Sequence, residues 1–139
     1  MGYLKNELSE KSKYHLSKHR YLELKHFCLQ YPEWKQRLKE ITDIRSSDTV
    51  MPGSDQISNE TERIAIERTM LKNKIELVEK MAMETDQVLW FYVLQGVTEE
   101  ATYTYLRNAM NIPCGKNMYY DRYRRFFWLL DRGQELHGV

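Results

Sequence analysis

Apolar positions recur at helical spacing along most of the chain, and nowhere do they alternate as a half-buried strand requires. From Ser12 to Ile44 there is no glycine, and Tyr14, Leu16, Tyr21, Leu24, Cys28 and Tyr31 fall on one broad side of a helix. Pro32 lacks an amide donor and disfavours helical geometry at Tyr31, so a break is expected there. A second helix then runs from Glu33 to Ile44, with Pro32 in its first turn. The following stretch from Arg45 to Ser58 has no periodicity and carries Pro52-Gly53, the composition of a flexible linker. The chain therefore divides into an N-terminal helical hairpin or kinked helix (1–45), a linker (46–58) and a helical core (59–139).

Asn59 followed by Glu62 matches a capping box, in which each side chain satisfies a backbone amide at a helix start. A long helix is expected from there to about Thr85. Ile64, Leu71, Ile75, Val78 and Ala82 form one apolar stripe on it, while Ile66, Met70, Leu77 and Met81 form another. Two stripes need two neighbours. These are either two helices of the same chain, or one such helix and a second copy, which would make residues 59–85 a homodimer surface. Asp86 can cap a short apolar helix holding Val88 to Leu94, all-round apolar and so expected in the core, with Gly96 as its stop. Thr98 offers the next cap, with Glu99 and Glu100 in the first turn of a helix reaching Met110.

The C-terminal third then has the parts of a helix-turn-helix (98–132): a capped helix, the breaker Asn111-Ile112-Pro113-Cys114-Gly115, and a helix from Lys116 to Arg132. In the second helix Tyr119, Tyr123, Phe126 and Leu130 form the buried face, whereas Asn117, Tyr120, Asp121 and Arg124 project oppositely, flanked by Lys116 and Arg125. Asn and Arg side chains offer the bidentate geometry that distinguishes adenine and guanine, and Lys116, Arg122 and Arg125 would touch phosphates. The expected fold is all-α, a small helical bundle with a C-terminal helix-turn-helix, and the expected partner is double-stranded DNA.

Charge sharpens this picture. The net charge is only +1, but residues 1–45 carry ten Lys/Arg against six Asp/Glu, residues 46–106 five against eleven, and residues 107–139 six against three. Phosphate binding depends on such local excess, not on the total. The 139 residues suffice for about one domain. No apolar run approaches the roughly 20 residues that cross a bilayer and no signal-peptide segment opens the chain, so a cytoplasmic protein without membrane contact is expected. Cys28 and Cys114 are far apart without paired ligand spacing, as reduced thiols would be.

Catalytic patterns are missing: the six glycines are scattered, and no nucleophile elbow or paired-carboxylate signature occurs. His15, His19, Glu23 and His26 would share one side of a continuous helix, but without the His-Glu-x-x-His arrangement they read as a solvated polar face. No enzyme activity, cofactor or metal is expected. Trp90, Trp128 and most of the ten tyrosines sit at helical core spacing and are read as core, not as stacking platforms for bases.

The string Ile112-Pro-Cys-Gly-Lys-Asn-Met-Tyr-Tyr-Asp-Arg-Tyr-Arg-Arg-Phe-Phe-Trp-Leu-Leu-Asp131 resembles the C-terminal signature of the RinA family of small phage regulators. The resemblance extends through Tyr21-Leu-Glu-Leu-Lys-His-Phe-Cys-Leu-Gln-Tyr-Pro-Glu-Trp-Lys35 and Val97-Thr-Glu-Glu-Ala-Thr-Tyr-Thr-Tyr-Leu106. It implies a helix-turn-helix similar to region four of sigma factors, an activator of phage or prophage late genes, and host RNA polymerase as a candidate partner in the bacterial cytoplasm. It also implies base and phosphate contacts from Lys116, Asn117, Tyr120, Asp121, Arg122, Arg124 and Arg125. The turn departs from the common sigma-like Gly-Ile-Ser pattern, because Asn111, Pro113 and Cys114 stand there. Two other readings stay open at this point: a phage terminase small subunit that binds DNA for packaging, and a helical adaptor that binds only protein.

Overall fold

The computed structural model describes residues 13–47 and 55–139, and side chains over 13–43 and 59–139. The described residues form a compact all-helical bundle with no strand. Its helices are α1 (Lys18–Leu29), α2 (Tyr31–Ser47), α3 (Asp55–Thr85), α4 (Trp90–Glu99), α5 (Tyr103–Met110) and α6 (Lys116–His137).

Helix α1 starts later than Ser12, because Ser17 caps it: the Arg20 amide donates to Ser17 Oγ at 3.3 Å. Tyr14 is buried and Leu16 packs against the core, but from the segment ahead of the helix. A single turn residue, Gln30, separates α1 from α2, and Pro32 lies in the first turn of α2, where its missing amide leaves no bond unmade. Both ends of the expected linker prove helical. Helix α2 continues to Ser47 and α3 begins at Asp55, while residues 48–54 lie outside the described residues. Asn59 and Glu62 therefore sit inside α3 and not at its cap, since a capping pattern does not stop a helix that has already begun.

On α3, Leu71, Ile75, Val78 and Ala82 are buried, as are Leu77 and Met81 of the second stripe. Leu77 and Met81 face α6 at Gly133, where an added Cβ would stand 3.1 Å from Leu77 Cδ1 and 3.0 Å from Met81 Sδ. Both sides of the C-terminal half of α3 are thus taken within the chain. Only Ile66 and Met70 stay more than half exposed. The deepest core unites Leu24, Cys28, Val78, Ala82, Val93, Leu106, Phe126 and Leu130, all fully buried, and so ties α1, α3, α4, α5 and α6 together.

Helix α4 does not stop at Gly96. It runs to Glu99 and ends on Glu100 in the left-handed region, φ 55°. Gly96 is there for close approach: a Cβ on it would fall 1.9 Å from Tyr119 Oη. Thr98, expected as a cap, is buried inside α4 and donates its hydroxyl to the Leu94 carbonyl at 2.6 Å. The cap is Thr102, whose hydroxyl accepts from the Tyr105 amide at 3.1 Å, so the first helix of the pair is α5 and shorter than 98–110. The apolar run is not wholly core either. Leu89, Val93, Leu94 and Val97 turn inward, while Val88 is 72% and Phe91 44% exposed, because a helix packed along one side still presents its other side to water.

Glu100 is strained, since a side chain in the left-handed region crowds the backbone. Glu100→Gly is expected to raise stability by a few tenths to about 1 kcal/mol, read as a higher midpoint in urea denaturation.

Candidate nucleic-acid interface

Helices α5 and α6 are joined by a braced turn. Asn111 adopts the left-handed conformation, φ 54°, which its short polar side chain tolerates. Ile112 is then driven into the core at 4% exposure, with its amide donating to the Leu106 carbonyl at 3.0 Å. Across the turn, Tyr103 Oη donates to the Cys114 carbonyl at 2.7 Å, and the Tyr103 ring lies 5.9 Å from that of Tyr119. The start of α6 is therefore positioned by α5 as well as by its own buried face. That face is Tyr119, Tyr123, Phe126 and Leu130, as expected, joined by Phe127 and Gly133.

The seven residues expected to touch DNA fall into four environments. Lys116 and Asn117 are exposed on the first turn of α6. Tyr120 is half-buried in a tyrosine cluster, 5.0 Å from the Tyr119 ring and 6.0 Å from that of Tyr123. Asp121 is half-buried beside Arg122, to which it is ion-paired. Arg122 is the clearest departure, because its guanidinium is a structural strut. Its Nε donates to Asp86 Oδ2 at 2.8 Å and another of its nitrogens donates to Asp121, so a phosphate would have to compete with both carboxylates.

Asp86 in turn accepts the amides of Val88 and Leu89, both at 2.8 Å, ahead of α4. Burial raises the Asp86 carboxyl, but the Arg122 guanidinium and these two amides outweigh it and hold the group below the usual carboxylate range.

Arg124 is half-buried and shares a small recess with Tyr14, Leu16, Tyr21 and Phe127. Arg125 is half-buried as well, and its Nε is enclosed without a hydrogen-bond partner. At 100° per residue, Asn117, Asp121, Arg124, Arg125, Trp128 and Arg132 share the side of α6 that faces away from Phe126 and Leu130. The sequence reading missed the last two. Helical spacing suits Trp128 to the core, yet it is only half-buried, and the Arg132 guanidinium stacks 3.5 Å from its ring centroid. The spacing 117, 121, 124, 128, 132 was the available signal.

The charges along α6 do not cancel. Between residues 116 and 132 the carboxylates are Asp121 and Asp131. Asp121 is taken by Arg122, and Asp131 by Arg20 of α1 at 2.6 Å, with Arg20 also donating to Gln134 at 2.9 Å. Among the described residues, Lys116, Arg124, Arg125 and Arg132 have no carboxylate partner.

Other chemistry gathers nowhere comparable. His15 precedes α1, so it does not share a helix with His19, Glu23 and His26, and among the described residues no cluster of His, Cys, Asp or Glu is arranged to hold a metal ion. Burial pushes the Cys28 thiol up; burial together with the nearby Asp86 raises Cys114, against the opposing pull of Arg122. Among the described residues no helix is long and apolar enough to cross a membrane.

The molecule is thus a small all-α bundle. Comparisons with protein-family profiles, curated proteins and solved structures returned no match for this chain.

Proposed function

We propose that the chain is a sequence-specific binder of double-stranded DNA and a regulator of transcription, which enters the major groove with the N-terminal turns of α6. The observation that carries the reading is the set of cations Lys116, Arg124, Arg125 and Arg132 on α6, without carboxylate partners among the described residues, while Asp121 is held by Arg122 and Asp131 by Arg20. Lys116 and Arg125 would release condensed counterions on meeting phosphates, with a slope of roughly −1.8 in log K against log salt. Asn117, exposed on the first turn, is the base-reading side chain, with Arg124 one face-repeat further on; Lys116 and Arg125 hold phosphates. Tyr120 and Asp121 shape the rim of the reading surface, and Arg122 holds the helix in place from behind. The resemblance to the RinA family supports a phage or prophage late-gene promoter as target and host RNA polymerase as partner, in the bacterial cytoplasm.

Selection of bound sequences from a random duplex pool tests this directly. An enriched motif is expected. On it, Asn117→Ala or Arg124→Ala should lose about 1–3 kcal/mol of discrimination, whereas Lys116→Ala should weaken all sequences alike and flatten the salt dependence by about one unit. A wild-type chain that enriches nothing and ignores duplex DNA at low salt would leave the protein-adaptor reading in its place.

Packaging is the second reading, favoured by Ile66 and Met70, which lie one turn apart on α3 and more than half exposed, as a contact between copies would require. Sedimentation decides: a ring of many subunits fits a terminase small subunit, whereas a monomer or a dimer through α3 fits transcription.

A further inference from the structure

We infer that the segment ahead of α1 and the C-terminal half of α6 together form a second DNA contact, a strip that grips the sugar-phosphate backbone outside the groove. The inference rests on the DNA-binding reading above and adds to it a surface beyond the N-terminal turns of α6 that enter the groove, joined by the segment ahead of α1.

The strip is a run of alternating partners. Lys13 Nζ lies 4.9 Å from the Tyr14 ring centroid. Tyr14 meets Trp128 edge-on, with centroids 5.7 Å apart and planes at 61°. On Trp128 lies the Arg132 guanidinium, 3.5 Å from the ring centroid. Two cations thus rest on an aromatic floor contributed by two distant parts of the chain. Stacking fixes the plane of a guanidinium while leaving N–H groups at its edge for an anion, so Arg132 is ordered before a phosphate arrives. Asp131, the adjacent carboxylate, is already held by Arg20 at 2.6 Å and does not compete.

Distance along α6 says what this strip would meet. With Asn117 at base edges, Arg124 stands about 10 Å further along at 1.5 Å per residue, and Trp128 and Arg132 stand at about 16 and 22 Å. The major groove is about 12 Å wide. Arg124 therefore reaches the groove rim, and Trp128 and Arg132 lie beyond it, where a duplex offers backbone and not base edges. Tyr14 and Leu16 line the recess that holds Arg124, which places the Lys13 end of the strip beside the same rim. Packing this segment against α6 would require only the aromatic rings; two cations on top of them, without acidic partners among the described residues, are what a phosphate chain requires.

The test uses the full chain and a 30-base-pair duplex of arbitrary sequence, with anisotropy measured across a salt series. Lys13→Gln and Arg132→Gln should each weaken binding about fivefold to tenfold near 0.1 M salt and flatten the salt slope by about one unit. The double variant should add the two effects, with the thermal midpoint by circular dichroism reporting that the fold persists. Arg63→Gln, which removes an exposed cation on α3 paired with Glu60, should leave binding unchanged. If Lys13→Gln and Arg132→Gln bind as wild type while Lys116→Ala weakens binding, the DNA reading stands and the strip is packing alone. Equal losses for Arg63→Gln would reduce the effect to net charge and overturn the strip. No duplex binding by the wild type would remove both.

Discussion

Gly96→Ala is expected to lower stability by about 2 kcal/mol, although alanine is the better helix former by about 1 kcal/mol. Gly96 sits inside α4, away from any cap, so the usual gain for this exchange would apply if space allowed. Space does not allow it. The new Cβ would stand 1.9 Å from Tyr119 Oη and 3.3 Å from Tyr119 Cζ, and Tyr119 is 1% exposed. Relief requires the Tyr119 ring to shift within its packing against Tyr103, Tyr120 and Tyr123, on the first turns of α6 that carry Asn117. In a Tyr119→Phe background the nearest obstacle becomes the ring carbon, and the same glycine substitution should be close to neutral. Urea denaturation of the four proteins reads a coupling of about 2 kcal/mol. A neutral or stabilising Gly96→Ala in the wild-type background would mean that α4 and α6 do not approach so closely.

Asp86→Ala should be comparably damaging, by about 2–3 kcal/mol. It removes the acceptor of the Val88 and Leu89 amides and leaves Arg122, 27% exposed, without its main partner. Asp86→Asn separates the two effects, since the amide oxygen still serves the backbone and only the charge is lost; a deficit of about 1 kcal/mol is expected. The pH dependence follows from the depressed carboxyl of Asp86. Because the folded value lies below the unfolded one, about 3.9, the contribution is complete above that pH and fades as the pH falls through the folded value. The gap between wild type and Asp86→Asn, measured by thermal denaturation, should therefore hold at neutral pH and narrow below about pH 4. A gap independent of pH would remove the ion pair as its cause.

These two sites mark the limit of what residue spacing reveals here. The 3.6-residue periodicity of Tyr21, Leu24 and Cys28, and of Tyr119, Tyr123, Phe126 and Leu130, was enough to place α1 and α6 and to choose their inner faces, and the buried set agrees. The break near Pro32 was equally legible, because a missing amide acts on its immediate neighbours. Caps were less so. Thr98 and Thr102 both offer a hydroxyl four residues apart, and Gly96 looks like a helix stop. Only the packed helices separate them: Gly96 lies inside α4 where Tyr119 occupies the space over it, and α4 ends instead on Glu100. Trp128 was misread for a related reason: aromatic residues at helical spacing suit a core, and only the approach of Tyr14 and the stacking of Arg132 give this one an outer role.

The helical character of the chain, its apolar faces and the turn before Lys116 follow from interactions within a few residues, which periodicity and local hydrogen bonding specify in any context. The division of labour among the arginines does not. Arg122 finds Asp86 across 36 positions, and Arg20 finds Asp131 across 111. A charge has no periodic signature naming its partner, so which cations are neutralised and which are left for an anion was settled when the packed helices brought those carboxylates within 3 Å of one set and away from the other.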